Sequence, residues 1–300
     1  HESVIEEAKK LTRLPGFKGY IHDIGGPTAN FRFPSCEKQL KAGLCKGKKC
    51  LAPKPCPVLV ADHSDYLSLL RKVRSLPEIK KVFIRSGIRY DYILKDKDDS
   101  FLRELVKYHV SGQLKVAPEH CSPAVLDKMG KPHIEAYIEF SKKYFELSKG
   151  AHKEQFLVPY LMSSHPGSTL NDAIELALFL KKRGIRPEQV QDFYPTPGTI
   201  STCMFYTGID PYTMKEVYVA KTAEEKAMQR ALLQYYDFSK HELIEKALKI
   251  AARYDLIGFA PSCLIRPGHE RTGPQKSGMK PSNKNRKGTY SDGRQTRKKK

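Results

Sequence analysis

Apolar positions recur along this chain with two periods. Val4, Ile5, Ala8, Leu11 and Leu14 keep helical spacing behind Ser3-Val4-Ile5-Glu6, which has the form of a capping box, until Pro15-Gly16 stops the run. The spacing predicts a first helix over residues 3–14. Short apolar runs bounded by polar, Gly or Pro residues follow at Gly19 to Ile24, Lys81 to Ile84, Gln113 to Val116, Gln155 to Leu161 and Gln189 to Phe193. They predict five strands. Between them, helical patterns cover Ser64 to Leu76, Ser100 to Val110, Ser122 to Met129, His133 to Ser148 and Thr169 to Arg183, the last closed by Gly184.

Strand and helix therefore alternate. Parallel neighbours need crossovers, and helices bury the faces of the sheet they connect, so the expected class is α/β with a parallel sheet inside a layer of helices. Ligands of such folds gather at the C-terminal ends of the strands. A repeating unit that opens on its helix is expected to lack the strand before it, and a chain starting on His1 is expected to be cut. Three regions follow: 1–210 with the βα rhythm, 211–258 with helical patterns at Ala223 to Tyr235 and Lys240 to Tyr254, and 259–300, a Gly/Pro/Ser/Lys mixture expected to be disordered.

Composition sharpens this only in places. A hydrophobic share of 40% over 300 residues suffices for a substantial core. Of the formal charge of +20, half sits from Leu264 onward, where 12 Lys/Arg face only Glu270 and Asp292. Such a tail suits RNA or another acidic partner, although solvated disorder is the commoner reading of such a run, and it has Tyr290 as its one aromatic residue. Apolar runs such as Leu176 to Leu180 are too short to span a bilayer, and no charged-then-apolar leader opens the chain. The expectation is a soluble, cytoplasmic protein without a membrane partner, whose seven cysteines are thiols or metal ligands and not disulfides.

Four of those cysteines, Cys36, Cys45, Cys50 and Cys56, fall within the insertion at 30–60 with spacing C-x8-C-x4-C-x5-C. Four thiolates suit zinc or an auxiliary iron–sulfur cluster, but without a C-x2-C pair they also read as redox-sensitive or buried free thiols. Lys46, Lys48 and Lys49 favour the thiolate form.

The strand ends hold the remaining candidates. Asp23-Ile24-Gly25-Gly26 offers close backbone approach, or simply a turn. Arg85-Ser86-Gly87-Ile88-Arg89-Tyr90-Asp91 offers a guanidinium able to grip a carboxylate or phosphate, or an exposed charged loop. Glu119 ends the third strand as a ribose acceptor or a cap, and His165 ends the fourth.

Taken together, Gly19 to Asn30, Arg85 to Asp91, Leu114 to Met129, Gln155 to Thr169 and Val190 to Gly208 resemble the YgiQ-like family of radical S-adenosylmethionine (radical SAM) proteins. The resemblance covers roughly residues 4–258. It implies a partial TIM-like (βα)6 barrel lacking its first strand here, and a 4Fe-4S cluster on a C-x3-C-x2-C loop. No three cysteines of this chain have that spacing, so the motif is expected upstream and the fragment itself is expected to be inactive.

The resemblance further implies that Gly25 and Gly26 approach the methionyl amine of S-adenosylmethionine, that Ser86 and Arg89 meet the cofactor, that Glu119 meets its ribose, and that His165 passes its adenine. Pro27 stands where the wider superfamily has an acid, which leaves Asp23, on the same strand face, as the substitute. Expected partners are S-adenosylmethionine, an unknown substrate and a reductant such as flavodoxin or ferredoxin. A layout similar to tRNA methylthiotransferases adds RNA as a candidate substrate.

Overall fold

The computed structural model describes residues 1–267 other than Pro27 and Gln189. Within them, five short parallel strands alternate with helices: β1 (Tyr20–Ile21), β2 (Lys81–Val82), β3 (Gln113–Glu119), β4 (Phe156–Ser163) and β5 (Gln191–Asp192). All five lie inside or across the apolar runs of the sequence. They form two small sheets, β1-β2 and β3-β4-β5, and among the described residues no closed barrel. The fold is mixed α/β, coarser than the barrel expected.

The two sheets are nevertheless laterally adjacent. Past the end of β2, the Ile84 N–H donates to the carbonyl of His109, and the His109 ring donates from Nδ1 to the Val82 carbonyl at 2.9 Å. His109 closes a single π-helical turn, Leu105–His109, which continues α5 (Ser100–Glu104) just before β3. The wide turn leaves carbonyls without helical partners, and the buried Gln155 amide donates to those of Val106 and Val110 while its oxygen accepts from Tyr144 and Ser148.

Helices cover the sheets where the pattern put them: α1 (Glu2–Thr12), α3 (Ser64–Arg74), α6 (Pro123–Met129), α7 (Ile134–Gly150) and α8 (Leu170–Lys182). Thr169 and Asp172 close a reciprocal capping box on α8. The box expected at Ser3 and Glu6 is not used, because α1 already starts at Glu2 and its N-cap is His1. Three helices lack a clear signal in the sequence: α2 (Glu37–Ala42) inside the cysteine-rich insertion, α4 (Tyr90–Ile93) and α9 (Ile200–Thr207). The first two are six and four residues long, too short to show a period.

Two large apolar clusters hold this unit together, beside a small one of Leu51, Ala61 and Tyr92. One joins β1 to β3 with α3, α5 and α7 around Leu70, Val82, Leu114 and Phe140. The other joins Leu161 of β4 and α8 to α10 (Ala223–Leu233) and α11 (His241–Ile250), so the helical region shares its core with the βα portion. Packing continues past Gly258: Leu264 and Ile265 are buried and Ile265 bridges Ile257. Disorder expected from residue 259 therefore does not begin there, because an apolar pair within the Pro/Gly-rich stretch finds this second core. The rest of the basic tail, 268–300, lies outside the described residues.

Candidate functional site

Parallel strands in sequential order bring their C-terminal ends together, and two contiguous hollows lie there. One, of about 310 Å³, is lined by Ser86, Arg89, Lys115, Glu119, Tyr160 and Met162 among others. The second, about 330 Å³, shares Glu119, Lys131, Met162 and Gln191 with it and adds His165. Arg89, Glu119 and His165, expected at one site, thus lie along a continuous depression.

Gly25 and Asp23 do not line it. They face a separate hollow of about 300 Å³ between α1, β1 and α3. A Cβ on Gly25 would meet Ile84 Cγ2 at 3.0 Å and Asp23 Oδ1 at 3.1 Å, so internal packing already favours glycine there; Ser86 Oγ, at 3.4 Å, connects the two regions. Asp23 Oδ1 accepts from the N–H groups of Gly25 and Arg85, knitting β1 to the β2 turn. Burial disfavours its ionisation, but those N–H groups and Ser86 outweigh it and hold the carboxyl below its usual range. Gly26 has open space around it: a Cβ there would meet nothing nearer than Ala29 Cβ, at 4.0 Å.

Arg89 is already engaged. Its guanidinium makes a forked contact with the buried carboxylate of Asp91, Nε to Oδ1 at 2.8 Å and one terminal nitrogen to Oδ2 at 2.5 Å. Burial opposes its charge, yet the Asp91 pairing prevails and raises its pKa. The expected free grip on a ligand carboxylate is therefore spent within the loop. The backbone of Arg89 is fixed by Asn30, which is fully buried and also touches His63 Nε2 at 3.1 Å; His63 Nδ1 in turn meets Asp96 at 2.7 Å.

Glu119 ends β3 at φ 67°, in the left-handed region, where the register with β4 shifts. Ser164, just past β4, has φ 60°, and its buried hydroxyl has no hydrogen-bond partner among the described residues. Strain of this kind at two neighbouring strand ends persists only where surrounding structure enforces it, and it clusters at ligand sites. Lys131 braces the Glu119 turn, donating to the Ala117 carbonyl at 3.2 Å and to the Glu119 carboxylate at 3.4 Å.

His165 is buried and uncharged. Burial pulls its pKa down to about 4, against the Pro166 carbonyl that raises it. Since a carbonyl only accepts, Nδ1 carries the proton, and Nε2 accepts from the Ser201 hydroxyl at 2.9 Å. The ring meets Phe193 edge-on.

Lys115, Tyr160, Met162 and Gln191 were not singled out by sequence motifs, yet all line the first hollow. The signal was the period of two: Gln113, Lys115, Ala117 and Glu119 alternate with the buried Leu114 and Val116. Cys36, Cys45, Cys50 and Cys56 are half-buried free thiols, with the Cys56 N–H bonded to the Cys50 carbonyl. Among the described residues no three His, Cys, Asp or Glu side chains are gathered as a metal site, and no helix is long and apolar enough to cross a membrane.

These features define a mixed α/β protein with a polar-rimmed hollow at its parallel strand ends. Its relatives carry the name UPF0313. One from Clostridium perfringens (strain 13 / Type A) is 57% identical over 290 residues, 95% of this chain and 44% of the relative. Another, from Clostridium botulinum (strain Loch Maree / Type A3), is 59% identical over 264 residues, 88% of this chain and 41% of the relative. The chain is similar to these UPF0313 proteins over nearly all of its own residues, and it spans less than half of their length. Residues 188–300 match the family model described as "Domain of unknown function (DUF3362)", a segment that begins ahead of β5.

Proposed function

We propose that this chain is part of a radical S-adenosylmethionine enzyme with a partial TIM-like barrel, acting on an unidentified substrate. The observation that carries the reading is the run of Ser86, Glu119 and His165 along one depression at successive parallel strand ends. Ser86 and Glu119 would hold polar groups of the cofactor, and the uncharged His165 would border its adenine without adding charge. Arg89 would act by shaping the loop, since Asp91 neutralises it. Gly25 and Asp23 would contribute only through the Ser86 contact.

The cofactor, when bound and reduced by a 4Fe-4S cluster, supplies a 5′-deoxyadenosyl radical. This chain has no C-x3-C-x2-C ligand set for the cluster. The residues here would instead bind and orient the cofactor and exclude water. The test is a protein of the relatives' full length, incubated anaerobically with dithionite and S-adenosylmethionine. Formation of 5′-deoxyadenosine is expected, with loss in a Glu119→Ala variant; its absence from the reduced full-length protein would overturn the reading.

A further inference from the structure

A larger concavity adjoins the strand-end hollow, sharing Lys115 and Tyr160 with it. It is a groove of about 750 Å³ between β4, α7 and residues 183–188 that follow α8. It exists because β5 pairs only with Met162 and Ser163, leaving the earlier part of β4 with an open edge. The Phe156 N–H bonds toward β3, to Gly112, while the Ser163 carbonyl bonds toward β5, to Phe193. In a parallel ladder, alternate residues serve opposite neighbours, so the open edge belongs to Leu157 and Pro159. Pro159 has no N–H to offer there. An edge blunted in this way is poorly suited to receive another strand.

Its walls suit a different occupant. Phe145, Phe156 and Tyr160 line the groove and are 46%, 55% and 36% exposed, an unusual grouping of uncovered rings. Lys115, Arg183 and Arg186 line it too, against the single carboxylate of Glu188. Among the described residues none of these three cations has a carboxylate partner; each lies near an aromatic ring instead, Lys115 over Tyr160, Arg183 over Phe179 and Arg186 over Tyr236. Exposed rings beside unneutralised cations are the two elements of a site that stacks a base and holds a phosphate. The volume is that of a small-molecule site.

We propose that this groove binds a free nucleoside monophosphate, its base against the exposed rings and its phosphate among Lys115, Arg183 and Arg186. Lys115 and Tyr160 also line the 310 Å³ hollow, so a ligand in the groove reaches the strand-end site from the side. The proposal does not depend on radical chemistry, and its test needs neither cluster nor S-adenosylmethionine.

The test is calorimetric titration of the full 300-residue chain with uridine 5′-monophosphate, with uridine and inorganic phosphate as separate probes. A pyrimidine avoids competition for an adenine site. The nucleotide is expected to bind about tenfold more tightly than either fragment, and the Arg183→Gln/Arg186→Gln double variant to lose about tenfold in affinity with an unchanged melting temperature. Lys115→Gln serves as the second variant, with the same expected direction. Nucleotide affinity no better than that of phosphate, affinity retained in the charge variants, or binding only of an octathymidylate and not of the mononucleotide would each overturn the proposal.

Discussion

Asn30 holds both polar groups of Arg89's main chain: its Nδ2 donates to the Arg89 carbonyl at 3.1 Å, and its Oδ1 accepts from the Arg89 N–H at 3.2 Å. One side chain 59 residues upstream thereby sets the turn that carries Arg89 and Asp91 into the strand-end hollow. Asn30→Ala leaves the part-buried Arg89 N–H and His63 Nε2 without their Asn30 partner, while the Arg89 carbonyl keeps the Ile93 N–H and His63 Nδ1 keeps Asp96. A loss of about 2–4 kcal/mol is expected in urea unfolding. Asn30→Asp restores the acceptor but not the donor, and should recover only part of that loss. A change below about 0.5 kcal/mol for Asn30→Ala would show that the clamp is dispensable.

The Arg89–Asp91 pair gives a second expectation. Asp91 is 4% exposed, so removing the guanidinium strands a carboxylate in the interior. Arg89→Met is expected to cost about 3–5 kcal/mol. The Arg89→Met/Asp91→Leu double variant should be markedly more stable than Arg89→Met, because the stranded charge is gone. Denaturant midpoints of the three proteins decide it. Equal destabilisation in the single and double variants would mean that shape, and not charge pairing, matters at this turn.

How far the sequence reached follows from the range of the forces involved. The alternation of β3, with Leu114 and Val116 buried between Gln113, Lys115 and Ala117, is a local signal. So is the Thr169–Asp172 cap, three residues apart. Asn30 is different, because nothing near it in sequence marks it as a clamp on residue 89. The same holds for Arg89, whose partner two residues away neutralises it only because the turn folds back, and for Asp23, absorbed by the N–H of Arg85 on the next strand. Leu264 and Ile265 found a core partner across the second cluster that no local pattern announced. Hollows formed by several strand ends were foreseeable in position, but not which of the polar side chains would be consumed within the fold.

Glu119 offers a direct measure of strain at the site. At φ 67° a side chain is disfavoured relative to glycine by about 1 kcal/mol, and its contact with Lys131, at 3.4 Å and partly exposed, offsets little of that. Glu119→Gly should therefore raise the unfolding free energy by up to about 1 kcal/mol. Glu119→Val should lower it, since a β-branched residue tolerates this backbone worst. If both substitutions destabilise equally, the side chain and not the backbone conformation holds this strand end.

The pH dependence of stability should be led by three histidines, with His63, also pulled down by burial, adding to them. His109, His120 and His165 are almost wholly buried, and burial pulls each from 6.5 down to about 4. Between those values the unfolded chain binds protons that the folded one refuses. Stability therefore rises with pH across this window and is lost as pH falls from 6.5 toward 4. Each histidine accounts for about 3 kcal/mol by pH 4. Three such losses rival the roughly 5–15 kcal/mol that holds a domain folded, so acid unfolding is expected above pH 4. The carboxyl of Asp23 is held below its usual range and adds its own loss only at lower pH. Unfolding at pH 5 should take up at least about two protons, measured by calorimetry in buffers of different ionisation enthalpy, and His120→Gln should remove about one of them. A midpoint in urea that stays constant from pH 6.5 to 5 would show that these rings are protonated, or hydrated, in the folded protein.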